Sequence, residues 1–327
     1  MYQAKNNRYE TMLYRRCGKS GLLLSAMSLG LWHNFGSVDR FENSREMILG
    51  AFDNGITCFD LANNYGPEAG SAEITFGQVL KKELSAYRDE LVITTKAGYY
   101  MWPGAYGEWG SKKSLLASLD QSLKRMELDY VDIFYHHRPD PDTPIEETAE
   151  ALEQAVRSGK ALYVGISNYD VKDTKRIVDR LAARNIHCLV HQMKYSMIER
   201  SNSEVLSGLS AHGMGAVAFS PLAQGILTGK YIDGIPSDSR ASGASVFLNE
   251  NNITGSVVAI TKQLTEVAEK RGQSLSQMAL AWVLSQENMV SVIIGASKLI
   301  QILENIKALK HLEFTTDELK IIEQILK

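Results

Sequence analysis

Cysteine is scarce in this chain. Cys17, Cys58 and Cys188 are an odd number, lie far apart and form no C-x-x-C pair, which argues against a disulfide framework or a structural zinc site and for a reducing cytoplasm. Long apolar runs are missing too: none approaches the roughly 18 uninterrupted apolar residues of a membrane span. The polar stretch Met1–Glu10 lacks the apolar core of a secretory signal. Nor is there an excess of positive charge. With a formal net charge of −3 and Lys and Arg spread along the chain, no basic stripe is available for nucleic acid or an anionic membrane, so a small molecule is the expected partner. No G-x-G-x-x-G dinucleotide fingerprint, low-complexity segment or interdomain linker occurs.

What the chain does have is alternation. Apolar strand candidates recur at Met27–Leu31, Thr57–Asp60, Leu91–Lys96, Val131–Tyr135, Tyr163–Ser167, Leu189–Met193, Ala216–Phe219 and Ser291–Ile294. Between them lie amphipathic helix candidates: Ser44–Phe52, Ser71–Leu84, Lys113–Met126, Pro144–Ser158, Val171–Arg184, Asn202–Ala211 and Val257–Arg271. A second helix in the last gap opens on the capping-box pattern Ser274-x-x-Gln277. Eight near-continuously apolar strands alternating with helices predict a closed parallel (β/α)8 barrel, a TIM barrel of the α/β class, as one domain over residues 1–327. Leu13–Arg16 and Leu22–Leu24 around Gly18 and Gly21 predict an N-terminal β-hairpin, and helices near Ser297–Lys310 and Thr315–Lys327 add to the C-terminus.

Chemistry in such a barrel sits at the C-terminal ends of the strands. Asp60 ends one strand, with Tyr65 in the loop beyond it, and Lys96 ends the next. A lysine closing an apolar run is costly unless it is paired or snorkels to water, and Asp60 is the natural partner. His136 and His137 follow the fourth strand; alternation points them in opposite directions without saying which faces the mouth. His187 and His191 have metal-like spacing but no accompanying carboxylate or cysteine, so no metal is expected. Gly225–Lys230 is one residue short of a phosphate loop, and Tyr231 stands where Ser or Thr is required.

These strand ends resemble the aldo-keto reductases. The resemblance is carried by Phe59-Asp60 through Tyr65-Gly66, Thr95-Lys96, His137 before Arg138-Pro139-Asp140, Gly165-Ile166-Ser167-Asn168, Gln192, and Gly295-Ala296-Ser297 leading to Glu304-Asn305, in the family's order. Within the family the chain is most similar to bacterial L-glyceraldehyde 3-phosphate reductases and the potassium-channel β-subunit group. That group shares Leu61–Gly66, Lys96-Ala97-Gly98 and Ser220–Gly225.

The resemblance implies an NADP(H)-dependent reductase of small aldehydes such as glyceraldehyde 3-phosphate and methylglyoxal-like carbonyls. Tyr65 would be the general acid, Lys96 would favour its tyrosinate, Asp60 would keep Lys96 charged, and His137 rather than His136 would orient the carbonyl. Asp60, Ser167, Asn168 and Gln192 would lie at the nicotinamide, Phe219 would stack on its ring, and Ser220, Pro221, Leu222, Ala223 and Gln224 would pass beneath the pyrophosphate. Ser297 would begin a helix facing the phosphates. Lys230 and Arg240 would meet the 2′-phosphate. Gly295, Gln301, Glu304 and Asn305 complete the implied cofactor set; many members carry lysine and arginine at the first two, whereas the channel-β group resembles this chain there and retains NADP. Trp32, which also belongs to the implied cofactor set, and Trp102, in the aromatic loop Tyr99–Gly110, would wall the substrate pocket over the nicotinamide with Tyr65 and His137.

Two other readings stand beside it. One is a cofactor-sensing regulatory subunit like the channel β-subunits, against which His137 speaks, because those carry asparagine there. The other is a Schiff-base enzyme using Lys96 as nucleophile, against which a paired Asp60 speaks. A homo-oligomer is compatible with the resemblance.

Overall fold

The computed structural model describes residues 2–237, 239–242 and 248–327. Eight parallel strands close into a barrel in sequence order: β3 (Met27–Gly30), β4 (Cys58–Asp60), β5 (Val92–Ala97), β6 (Val131–His136), β7 (Ala161–Ser167), β8 (Cys188–Lys194), β9 (Gly215–Phe219) and β10 (Met289–Ile294), which pairs back onto β3. The strands are almost wholly buried, because one face fills the lumen and the other meets the helices; this is why they read as apolar runs. The hairpin β1 (Tyr14–Arg16) with β2 (Leu23–Ser25) precedes them, in register Tyr14↔Ser25. Cys17 and Leu24, from the hairpin, share a buried cluster with Cys58, Val92, Ile133, Tyr135, Leu189, Val217 and Val290 of the lumen. The hairpin therefore plugs the bottom of the barrel.

The helical layer comprises α1 (Phe41–Phe52), α2 (Ser71–Val79), α3 (Lys112–Met126), α4 (Ile145–Arg157), α5 (Val171–Ala182), α6 (Ser203–Gly208), α7 (Gly255–Lys270), α8 (Leu275–Leu284), α9 (Leu299–Ile306) and α10 (Thr316–Ile325). The expected capping box forms, with Ser274 accepting from the Gln277 N–H and the Gln277 side chain accepting from the Ser274 N–H. Three predicted helices are divided. After Val79 the chain widens into a π turn over Leu80–Leu84 and a 3-10 segment over Ser85–Glu90; α6 gives way to a 3-10 turn that stops at Gly213 with φ 68°; and α9 ends in 3-10 winding over Lys307–Lys310.

Gly165 has a steric reason to be glycine. A Cβ there would lie 2.6 Å from the Tyr135 ring and 2.8 Å from Val190 Cγ1, and Tyr135 is packed in the lumen next to Lys96, its register partner. Overpacking a closed lumen forces backbone or ring displacement, so Gly165→Ala is expected to lower the unfolding free energy by about 1–3 kcal/mol in urea denaturation. A wild-type midpoint would contradict this packing.

Candidate active site

Register sets which side chains face the mouth. Asp60 pairs with Thr94 across β4 and β5, and Lys96 pairs with Tyr135 across β5 and β6. Thr94 and Lys96, two apart, share the lumen face. There Thr94 Oγ1 donates to Asp60 Oδ1 at 2.9 Å, and Gln192 Nε2 donates to the same oxygen at 2.8 Å. Lys96 Nζ donates to Asp60 Oδ2 and to the Leu61 carbonyl, each at 2.7 Å, and to Tyr65 Oη at 3.3 Å. Three acceptors for three N–H groups suit an ammonium and leave no lone pair for a nucleophile.

The pair is deeply placed, with the Lys96 side chain 0% and the Asp60 side chain 4% exposed. Burial pushes the Lys96 amine below its ordinary value, while the adjacent Asp60 carboxylate pulls it back up. Tyr65 is half-buried, its ring 6.4 Å from Trp32 and 4.7 Å from Lys96 Nζ. Burial first, then Asp60 and Tyr99, hold its phenol above the ordinary tyrosine range. The resemblance implies that Lys96 favours the tyrosinate; in the resting protein burial of the phenol dominates. The Tyr65 phenol therefore stays protonated near pH 7, with the Lys96 ammonium 3.3 Å from its oxygen.

The two histidines separate because β6 runs on to His136. Tyr135 faces the lumen, so His136 faces outward, where its Nδ1 lies 2.6 Å from Tyr169 Oη. His137, the first residue beyond the strand, turns into the mouth; its ring lies edge-on to Tyr65 at 5.9 Å and to Tyr99 at 4.6 Å. Burial, followed by the charge on Lys96, keeps the His137 imidazole well below its ordinary range and therefore neutral near pH 7. His187 and His191 do not converge: His187 Nε2 meets the Gly213 carbonyl at 3.3 Å, whereas His191 Nε2 accepts from the Tyr169 N–H at 3.2 Å. Among the described residues no group of three or more His, Cys, Asp or Glu is placed to hold a metal ion.

Burial pushes His136 down to about 4 and His191 down to about 3. Both are neutral when folded and charge readily once unfolded. Below pH 6.5 the unfolded chain binds the extra protons, so stability falls as pH falls from that point toward the folded values. His191→Gln is expected to remove one such group, making the stability lost between pH 7 and pH 5 smaller by about 2 kcal/mol. Urea titrations at the two pH values measure this, and equal losses in variant and parent would contradict it.

Around the mouth lie four further segments whose residues the resemblance implies for a nicotinamide cofactor. Ser167 and Gln192 are register partners, and the following Asn168, at φ 63°, donates to the His137 carbonyl at 3.0 Å. Beyond Phe219, Ser220, Ala223 and Gln224 adopt φ of 53°, 46° and 59°. Three left-handed non-glycine residues in one short loop are costly and aim the local backbone unusually. Gln224 Oε1 is buried there with no hydrogen-bond partner among the described residues. Pro221 is buried and Leu222 packs at the edge of the core. Lys230 lies over this loop: a Cβ on Gly225 would be 3.2 Å from Lys230 Nζ. Beside Gly295 a Cβ would meet nothing within 4 Å.

Ser297 does not begin a helix as expected. Lys298 is the N-cap of α9, with no side-chain cap bond, and Gln301 Oε1 accepts from the Ser297 N–H at 2.8 Å. Gln301 thus satisfies the Ser297 N–H from within the chain. Glu304 pairs with Lys307, and Asn305 is buried. The side chain of Arg240 lies outside what the structure describes.

In the aromatic loop, Trp102 is half-buried against Gly107, while the ring that meets His137 is that of Tyr99. The sequence offered no means of choosing among that loop's aromatics. Thr94 and the Leu61 carbonyl were missed as well, although Thr94's position two residues before Lys96 carried the signal.

The aldo/keto reductase family model matches residues 26–327. The chain belongs to the aldo/keto reductase family. It is an oxidoreductase of a family that works with a nicotinamide cofactor. It is 54% identical to the L-glyceraldehyde 3-phosphate reductase of Escherichia coli O157:H7, over 99% of this chain and 95% of the relative. A probable voltage-gated potassium channel subunit beta of Arabidopsis thaliana is 36% identical over 96% of this chain and 97% of its own length. Among solved structures, the holo form of aldo-keto reductase AKR11C1 from Bacillus halodurans superposes with a TM-score of 0.78 at 26% identity, covering 97% of both chains. No helix among the described residues is long and apolar enough to cross a membrane.

Proposed function

We propose that this aldo/keto reductase uses NADPH to reduce small aldehydes, with L-glyceraldehyde 3-phosphate as the leading substrate and methylglyoxal-like carbonyls as further ones. The observation that carries the chemistry is Tyr65 Oη within 3.3 Å of a buried Lys96 ammonium that Asp60 holds at 2.7 Å. The substrate is suggested by the 54% identity to a reductase named for it.

When bound, the cofactor supplies hydride to the carbonyl carbon. The chain's own residues do the rest. Tyr65 passes its proton to the carbonyl oxygen, and Lys96 stabilises the phenolate left behind. Neutral His137 donates a hydrogen bond that orients the same oxygen, and Asp60, itself held by Thr94 and Gln192, keeps Lys96 charged and in place. Trp32 beside Tyr65 excludes water from one wall. Ser167, Asn168 and Gln192 would hold the carboxamide, Phe219 the ring face, the loop Ser220–Gln224 the pyrophosphate, and Lys230 the 2′-phosphate.

The test follows NADPH and NADH oxidation with L-glyceraldehyde 3-phosphate, methylglyoxal and unphosphorylated glyceraldehyde. Turnover with NADPH is expected, and Lys230→Met is expected to raise the NADPH Kd by about tenfold while leaving NADH unchanged, as loss of one charge-assisted contact of about 1.5 kcal/mol requires. If no aldehyde oxidises NADPH, the reading is lost.

A further inference from the structure

One side chain reaches both ends of the loop between β5 and α3. Arg138, next after His137, lays its guanidinium carbon 4.2 Å from the ring centroid of Tyr99 and 3.8 Å from that of Trp109. Its Nε donates to the Gly98 carbonyl at 3.1 Å, and one Nη pairs with the Glu108 carboxylate. The Trp109 N–H donates to the same Gly98 carbonyl at 3.2 Å, from a backbone at φ 70° that an aromatic residue rarely adopts. Next to it, the Gly110 N–H donates to Asp140 Oδ2 at 2.8 Å. Both arms of the loop are thus fastened to the segment that carries His137.

The consequence lies at the catalytic ring. A histidine ring is normally oriented by a hydrogen bond on its second nitrogen, yet His137 Nδ1 is buried with no hydrogen-bond partner among the described residues. What meets the imidazole is packing: Tyr99 edge-on at 4.6 Å with the planes 86° apart. The Tyr99 ring is in turn held by the Arg138 guanidinium.

We propose that Arg138 is a positioning residue, which by clamping Tyr99 and Trp109 orients His137 and presets the loop 99–110 as the wall that keeps the pocket small. A planar guanidinium stacks on two aromatic rings and bonds in its own plane at once, whereas an ammonium of equal charge does not. This role rests on the reductase reading above.

The experiment compares wild type with Arg138→Lys and Glu108→Gln, measuring kcat and KM for glyceraldehyde and 4-nitrobenzaldehyde, the NADPH Kd, the Tm, and acrylamide quenching of tryptophan fluorescence. For Arg138→Lys, kcat with glyceraldehyde is expected to fall by about tenfold, since small misplacements of a reacting group cost this much or more. The 4-nitrobenzaldehyde to glyceraldehyde ratio of kcat/KM is expected to rise, quenching to increase, and the NADPH Kd to stay put. Glu108→Gln, which keeps the stacking, is expected to shift in the same direction by less, and it decides the matter if Arg138→Lys does not fold. A merely structural role would move the Tm without changing the ratio. Wild-type kcat and ratio in the folded variants would overturn the positioning role alone; absence of turnover in wild type would overturn the reductase reading and this role with it.

Discussion

Replacing Tyr65 by phenylalanine is expected to lower kcat by about three orders of magnitude, within the range that general acid catalysis contributes, while NADPH binding and the Tm remain close to wild type. The ring that packs near Trp32 and under the Lys96 ammonium is retained. Only the hydroxyl is lost, and with it the longest of the three Lys96 contacts, at 3.3 Å; the two 2.7 Å acceptors, Asp60 and the Leu61 carbonyl, still satisfy the ammonium. Steady-state kinetics paired with a fluorescence titration of NADPH separates the two quantities. A variant retaining a tenth or more of wild-type kcat would mean that the proton comes from elsewhere.

The second large effect is expected from Asp60→Asn. It removes the charge opposite an ammonium that is fully buried, and breaking one side of a buried pair costs about 3–5 kcal/mol of stability. The amide oxygen can still accept from Thr94 and Gln192, so the barrel should fold. The kinetic signature is in the pH profile. Burial lowers the Lys96 value and Asp60 raises it, so without Asp60 the lysine loses its proton at a lower pH. Above that point no charge remains to stabilise the Tyr65 phenolate. The alkaline limb of kcat is therefore expected to move to lower pH in the variant. Superimposable limbs, or an unchanged Tm, would show that Asp60 does not hold Lys96.

Much of the frame was legible because a barrel strand buried on both faces leaves an apolar run, and a charged residue ending such a run must find a partner or reach water. Asp60 was the natural partner for Lys96 on that ground, with a snorkelling lysine the alternative; the 2.7 Å contact and full burial of Lys96 decide for the pair. His137 could not be chosen over His136 from alternation, since the answer depends on the parity at which β6 leaves the sheet. The structure supplies it through Tyr135, whose lumen-facing ring sends His136 outward to Tyr169. Loops carry no period, so Tyr99–Gly110 could be named as an aromatic wall without showing that Tyr99 is the ring against His137. The left-handed run at Ser220, Ala223 and Gln224 was hidden for another reason: only glycine announces positive φ by its identity. The start of α9 after Lys298, two residues later than expected, turns on a Gln301 side chain folding back to the Ser297 N–H, a choice between water, side chain and anion that residue type does not settle.

The most direct measurement uses wild-type protein, L-glyceraldehyde 3-phosphate and NADPH carrying deuterium at the transferable position of C4, with the product read by mass spectrometry. The account predicts glycerol 3-phosphate with one deuterium on the former aldehyde carbon for each NADPH oxidised. Unlabelled product, or no alcohol at all, would contradict it.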